Sequence, residues 1–141
     1  MMEFYTNDNR GTIQNAKRAK QLIRFDGLRY NNITPTDLDF FAEYHNQAFI
    51  FAEFKHGSAD VPFGQKLALM RITDRIQQSG AEAVLFVCEH YVGDPNEDVY
   101  AAESIVRKIY YKQQIYRGDG KTLKELWNRF LDYATKKEVN I

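Results

Sequence analysis

The sequence predicts an α/β fold: a central mixed β-sheet, flanked by helices, whose chemistry sits on an antiparallel hairpin. Three features point there. Two short aromatic-rich runs, LDFFAEY and AFIFAEFK, are separated by the polar tripeptide His45-Asn46-Gln47 and read as a hairpin. The run AEAVLFVCE is continuously apolar over a strand's length, as expected of a strand buried on both faces. Segments with helical spacing of apolar residues occur before, between and after these strands.

In chain order, residues 12–24, TIQNAKRAKQLIR, place Ile13, Ala16, Ala19, Leu22 and Ile23 at helical spacing behind Thr12 as N-cap. A loop or short strand, FDGLRYNNITPT, leads to the hairpin. The next segment has Asp60 before Pro62 as a helix start, an apolar stripe that includes Leu69, Ile72 and Ile76, and Gly80 as a stop. After the buried strand comes an acidic loop, YVGDPNED, and then VYAAESIVRKIYY with QIYR, read as a strand and hairpin. The last helix, TLKELWNRFLDYATKK, has an apolar face of Leu123, Leu126, Trp127, Phe130 and Leu131. Thr122 and Glu125 form its capping box.

With 141 residues and no repeat or linker-like run, residues 1–141 read as one domain with enough chain to bury a real core. The 10 Phe and 9 Tyr argue against disorder. One cysteine, Cys88, excludes an internal disulfide and reads as a small core residue. No segment resembles a signal peptide or has the length to cross a bilayer, so the expectation is a cytoplasmic protein without a membrane partner. The formal net charge is zero, but the charges are in blocks. Residues 10–29 and 105–124 are basic, and residues 82–103 carry acids and no Lys or Arg. Basic flanks of this kind suit local contact with a polyanion.

The hairpin carries the informative cluster. In FAEFKHG, Glu53 and Lys55 are two positions apart and therefore share a face of a strand. A loop of His45, Asn46 and Gln47 would set Tyr44 opposite Ala48, and the same register sets Asp39 opposite Glu53. Two carboxylates directly opposed are destabilising and call for a cation. Magnesium takes one or two carboxylates, keeps several waters and joins substrate phosphate. Asp39, Glu53 and the carbonyl of Phe54 would suit it, with Lys55 placed to hold a water and offset charge growing on phosphorus. Asp37 lies on the same face as a competing ligand. Gln65 falls in the first turn of the helix after the hairpin, where it would contact substrate or orient a ligand.

Pro35-Thr36-Asp37-Leu38-Asp39 followed by Glu53-Phe54-Lys55 resembles the PD-(D/E)XK nuclease superfamily, the restriction-endonuclease-like fold. The wording ITPTDLDFF…FAEFKHG…PFGQKLAL is similar to its small phage-encoded members. The resemblance spans residues 25–90, and the order of elements extends it along most of the chain. It implies a metal-dependent nuclease in which Asp39 and Glu53 bind Mg²⁺ or Mn²⁺ and Lys55 positions the attacking water. It also implies DNA as substrate and a dimer addressing two strands. One departure is that Pro35 is not adjacent to Asp39. Candidate phosphate contacts are Lys17, Arg18, Lys20 and Arg24 on the first helix, and Lys108, Lys112 and Arg117 in the later hairpin. The alternative is a catalytically silent adaptor that keeps the fold and binds nucleic acid or a protein.

GDGKT, residues 118–122, imitates the end of a phosphate-binding loop, but the required first glycine is Ile115, so Thr122 is read as a helix cap instead. His45, His56 and His90 lack a metal-ligand spacing.

Overall fold

In the computed structural model, residues 21–57 and 63–139 are described, without the side chains of 63–65 and 137–139. The chain divides into two compact units, Met1–Pro35 and Thr36–Ile141.

Within the first unit, the described residues are irregular apart from two tight turns. Tyr30 and Ile33 form an antiparallel bridge, closed by Asn31 and Asn32 at φ 45° and 71°. Asparagine tolerates that left-handed region better than other side chains do. The sequence predicts a helix through Arg24, yet Gln21–Arg24 are not helical, while residues 12–20 lie outside the described residues. The turn that follows, with Leu28 N–H donating to the Phe25 carbonyl at 3.1 Å and Gly27 at φ 83°, redirects the chain.

The second unit holds, among the described residues, a five-stranded mixed sheet in the order β1-β2-β3-β4-β5 with two helices. The strands are β1 (Phe40–Tyr44), β2 (Ala48–His56), β3 (Glu82–His90), β4 (Ile105–Tyr111) and β5 (Gln114–Arg117). The helices are α1 (Phe63–Gln78) and α2 (Leu123–Val139). All neighbours are antiparallel except β2 and β3, which run parallel because α1 carries the chain back between them.

Alternation sorts the core into two layers. Even-numbered residues of β2 and β3 (Ile50, Ala52, Val84, Phe86 and Cys88) pack with Val106, Leu123 and Leu126 under α2. Odd-numbered Phe51 and Leu85 pack with Leu69 and Tyr110 under α1. Cys88 is buried as expected, and burial pushes its thiol up to about 12. Trp127 packs edge-on to Phe40 at 5.9 Å as part of the α2 layer. The capping box forms: Glu125 N–H donates to Thr122 Oγ1 and Thr122 N–H to Glu125 Oε1, each at 3.2 Å.

The α1 stripe differs from the expected one at a single position. Ile72 is 43 % exposed, and Thr73 is buried at 1 % in its place. Thr73 tolerates this because its hydroxyl donates to the Leu69 carbonyl at 2.7 Å. Asp60 and Pro62, the expected helix start, lie outside the described residues. No helix among the described residues is long and apolar enough to cross a membrane.

Candidate functional site

The β1–β2 turn fixes everything that follows. Gln47 N–H donates to the Tyr44 carbonyl at 2.8 Å, His45 and Asn46 take φ 45° and 61°, and Asn46 N–H caps on the Glu43 carboxylate. Tyr44 pairs with Ala48 and Phe40 with Ala52, the register expected of a three-residue loop. Continued by one residue, that register sets Asp39 against Glu53. Asp39 Oδ2 does reach this point, accepting the Phe54 N–H at 2.9 Å. In a strand a residue's N–H and C=O point to the same side, so the Phe54 carbonyl also projects on the β1 side, past the last ladder pair.

Glu53 is 1 % exposed, on the α1 side of the sheet. Burial, a hydrogen bond to the Asp39 carboxyl and the Asp39 charge together push it from 4.5 up to about 8, against the opposing pull of Lys55. At neutral pH this carboxyl therefore keeps a proton that an unburied glutamate would lose. Lys55 lies one pleat further along the same face and is half-buried.

Sequence reasoning missed a second group beside Lys55. In the parallel register Lys55 pairs with Glu89, which is 5 % exposed. Glu89 Oε1 accepts from Arg107 Nη1 at 3.1 Å and from the Tyr91 hydroxyl at 2.7 Å. The hydrogen bond to Glu89 raises the Tyr91 phenol. Arg107 reaches this face because the β3–β4 register shifts at Val87/Cys88. A signal was available. AVLFVCEH repeats the pattern of FIFAEFKH, an apolar run with charge at its C-terminal end. Two parallel strands bring such ends together, and that end is where open α/β sheets place ligand sites.

Other expected site residues are dispersed. Gln65 is in the first turn of α1, and its side chain lies outside the described residues, as do Lys17, Arg18 and Lys20. Arg24 is exposed and paired with Asp26 at 3.0 Å. Lys108 is exposed on β4. Lys112 is in the β4–β5 turn at φ 49°, its ammonium 5.3 Å from the Tyr111 ring, beside Asp74 and Glu82 at the opposite end of the sheet from Glu53. His56 and His90 meet edge to face at 5.4 Å on the α2 side, away from the carboxylates. Among the described residues no three His, Cys, Asp or Glu side chains converge as a metal cluster, so a cation here would draw on two carboxylates, a carbonyl and water. The chain matches no family model, no curated protein and no solved structure.

Proposed function

We propose that this chain is a metal-dependent deoxyribonuclease of the PD-(D/E)XK type, with a restriction-endonuclease-like core. The observation that carries this reading is the buried Glu53 carboxyl hydrogen-bonded to a second carboxyl, Asp39, with Lys55 on the same face. Burial and the neighbouring Asp39 carboxyl disfavour the ionised form of Glu53, and a divalent cation would relieve that cost. The donors fit a hard ion: Asp39 and Glu53 supply oxygens, and the Phe54 carbonyl projects on the same side. Hairpin, crossover helix and parallel strand follow in the order such a core requires.

When bound, Mg²⁺ or Mn²⁺ supplies Lewis-acid polarisation of a phosphoryl oxygen. The chain's own residues do the rest. Asp39 is held by the Phe54 amide, so its second oxygen is fixed in direction. Lys55 donates to a water on the phosphate and offsets the negative charge that grows as the water oxygen bonds phosphorus. As that bond forms, the water would give up its proton to solvent, the bond from phosphorus to the bridging oxygen would break, and the leaving oxygen would take a proton from solvent, which completes hydrolysis. Glu89, with Arg107 and Tyr91 fixed on it, lies opposite Lys55 in the parallel register and borders the same face.

Incubation with linear, nicked, branched and single-stranded DNA in Mg²⁺ or Mn²⁺ tests the proposal. Cleavage of at least one substrate is expected, abolished by chelation and by Asp39→Ala, Glu53→Ala and Lys55→Ala in folded protein. Identical background from the wild type and all three variants on every substrate would establish the silent adaptor instead.

A further inference from the structure

One row of residues runs straight across the sheet from the carboxylate pair to the far edge. Glu53 pairs with Val87, Val87 with Lys108, and Lys108 with Arg117. Asp39 extends the row at the other end through its contact with the Phe54 amide. All of these side chains share the α1 side of the sheet: Tyr110, two residues from Lys108 on β4, packs there against Leu69 and Leu85. Lys108 and Arg117 are both exposed. Arg107 joins them through the β-bulge, with its guanidinium anchored on the buried Glu89 and its side chain still 59 % exposed.

These three cations border a cleft of about 690 Å³ that also includes Tyr116, with Asp119 as its only acid among the described residues. Strands in a sheet are ~4.8 Å apart, so Lys108 and Arg117 are about 10 and 14 Å from Glu53 along the row. At a rise of ~3.4 Å per base pair along the axis of a B-form duplex, that corresponds to about three to four base pairs of axial length. The intervening row position is Val87, which offers a phosphate nothing to bind. The row thus has acids at the end where a cation and a reacting phosphate would meet, and bases where the flanking phosphates would follow.

We propose that the DNA strand crosses the sheet along this row, with phosphates on one side of the cleaved bond held by Lys108 and Arg117 and steered by the Glu89-anchored Arg107. The proposal rests on the nuclease reading for the position of the cleaved bond and on the strand register alone for the position of the cations. Lys112 has no part in it, because the same hairpin carries that residue to the opposite end of the sheet.

The test compares the full chain with Lys108→Ala/Arg117→Ala, with Lys108→Arg, and with Lys136→Ala, which removes an exposed charge from α2 on the other face. Anisotropy of a fluorescein-labelled DNA duplex in EDTA gives affinity and its salt dependence without requiring turnover. The double variant should bind at least ~10-fold more weakly, as expected for two lost charge-assisted contacts. Its salt slope should be shallower by about 2, one unit for each phosphate contact removed. Lys108→Arg should bind close to wild type, and Lys136→Ala should bind as wild type does. In Mg²⁺ the double variant should show a raised KM with a smaller change in kcat. Wild-type affinity and salt slope in the double variant, or an equal loss in Lys136→Ala, overturn the proposal. If the wild type cleaves and the double variant still binds normally, the row is wrong and the nuclease reading stands. If the wild type never cleaves, that reading fails, and the binding comparison still decides whether the row holds DNA.

Discussion

Two buried glutamates at opposite ends of the same sheet have opposite surroundings. Glu82 opens β3 and is 4 % exposed; Glu53 is near the end of β2 and is 1 % exposed. Glu82 accepts from neutral donors. Its Oε1 accepts from the Tyr111 hydroxyl at 2.6 Å and from Gln77 Nε2 at 3.2 Å, and Gln77 also accepts the Ala83 N–H at 3.0 Å. Nearby, the Tyr110 hydroxyl donates to Asp74 at 2.9 Å, and burial together with that bond pushes the Tyr110 phenol up to about 12. This end ties α1 to β3 and β4. Glu53 instead faces a second carboxyl. Burial alone therefore says little about a carboxylate's task, and what it faces says more. A carboxylate satisfied by phenol and amide donors stabilises the fold, whereas one set against its own kind is, in the proposed reading, where a cation binds.

The largest expected effect separates the two ends by activity. Glu53→Gln or Asp39→Asn should lower Mg²⁺-dependent DNA cleavage by at least ~1000-fold, the several kcal/mol that a metal ion contributes to charge stabilisation. Glu82→Gln should stay within a few-fold of wild type per folded molecule. Single-turnover rates on one DNA substrate check both.

Stability should show the reverse order. Glu82→Ala strands the Tyr111 and Gln77 donors and should cost about 1–3 kcal/mol in urea unfolding. Glu53→Gln removes a carboxyl whose ionisation the fold disfavours and should leave the metal-free protein as stable as wild type or more so.

The difference also has a sign in pH. Glu53 binds its proton more tightly folded than unfolded, since its value rises from 4.5 to about 8. Its contribution to stability is fully present below pH 4.5 and is lost as pH rises through about 8. Thermal melts of the metal-free protein should therefore fall across this window. Glu53→Gln should flatten that part of the profile, and added Mg²⁺ should oppose the loss at its alkaline end by binding the ionised pair.

The smallest effect is at the Glu82 end. Lys112 and Gln113 occupy a two-residue turn at φ 49° and 65°, a conformation that favours Asn-Gly. Replacing them with Asn-Gly should stabilise the protein by about 0.5–1 kcal/mol and leave cleavage unchanged, as read by urea midpoints and single-turnover rates.

The contrast was only half legible in the sequence. The Asp39–Glu53 juxtaposition followed from loop length, because a three-residue turn fixes the register of every pair beyond it. The even and odd layers followed from alternation. Glu89 was not legible because its position beside Lys55 depends on the parallel register, which a crossover of unspecified geometry does not announce. Arg107 turns toward Glu89 only through a bulge between Val87 and Cys88, and nothing in IVRKIYY marks it. Lys112 looked like a companion of Lys108 by proximity in sequence, yet Lys108 pairs well down the hairpin while Lys112 occupies its tip. Thr73 displaced Ile72 from the buried stripe because a helical threonine can satisfy its own hydroxyl. Gly118 belongs here too. A Cβ there would approach the Val106 carbonyl oxygen to 1.8 Å, so the glycine in GDGKT serves the close approach to β4 and the start of α2.

Diffraction from a crystal soaked in Mn²⁺, with anomalous density located, tests the central claim most directly. The account predicts one peak between the Asp39 and Glu53 carboxylates and within ligand distance of the Phe54 carbonyl, absent in Glu53→Gln. Asp39 and Glu53 on opposite faces of the sheet, or manganese bound elsewhere while this pair keeps its own hydrogen bond, would contradict it.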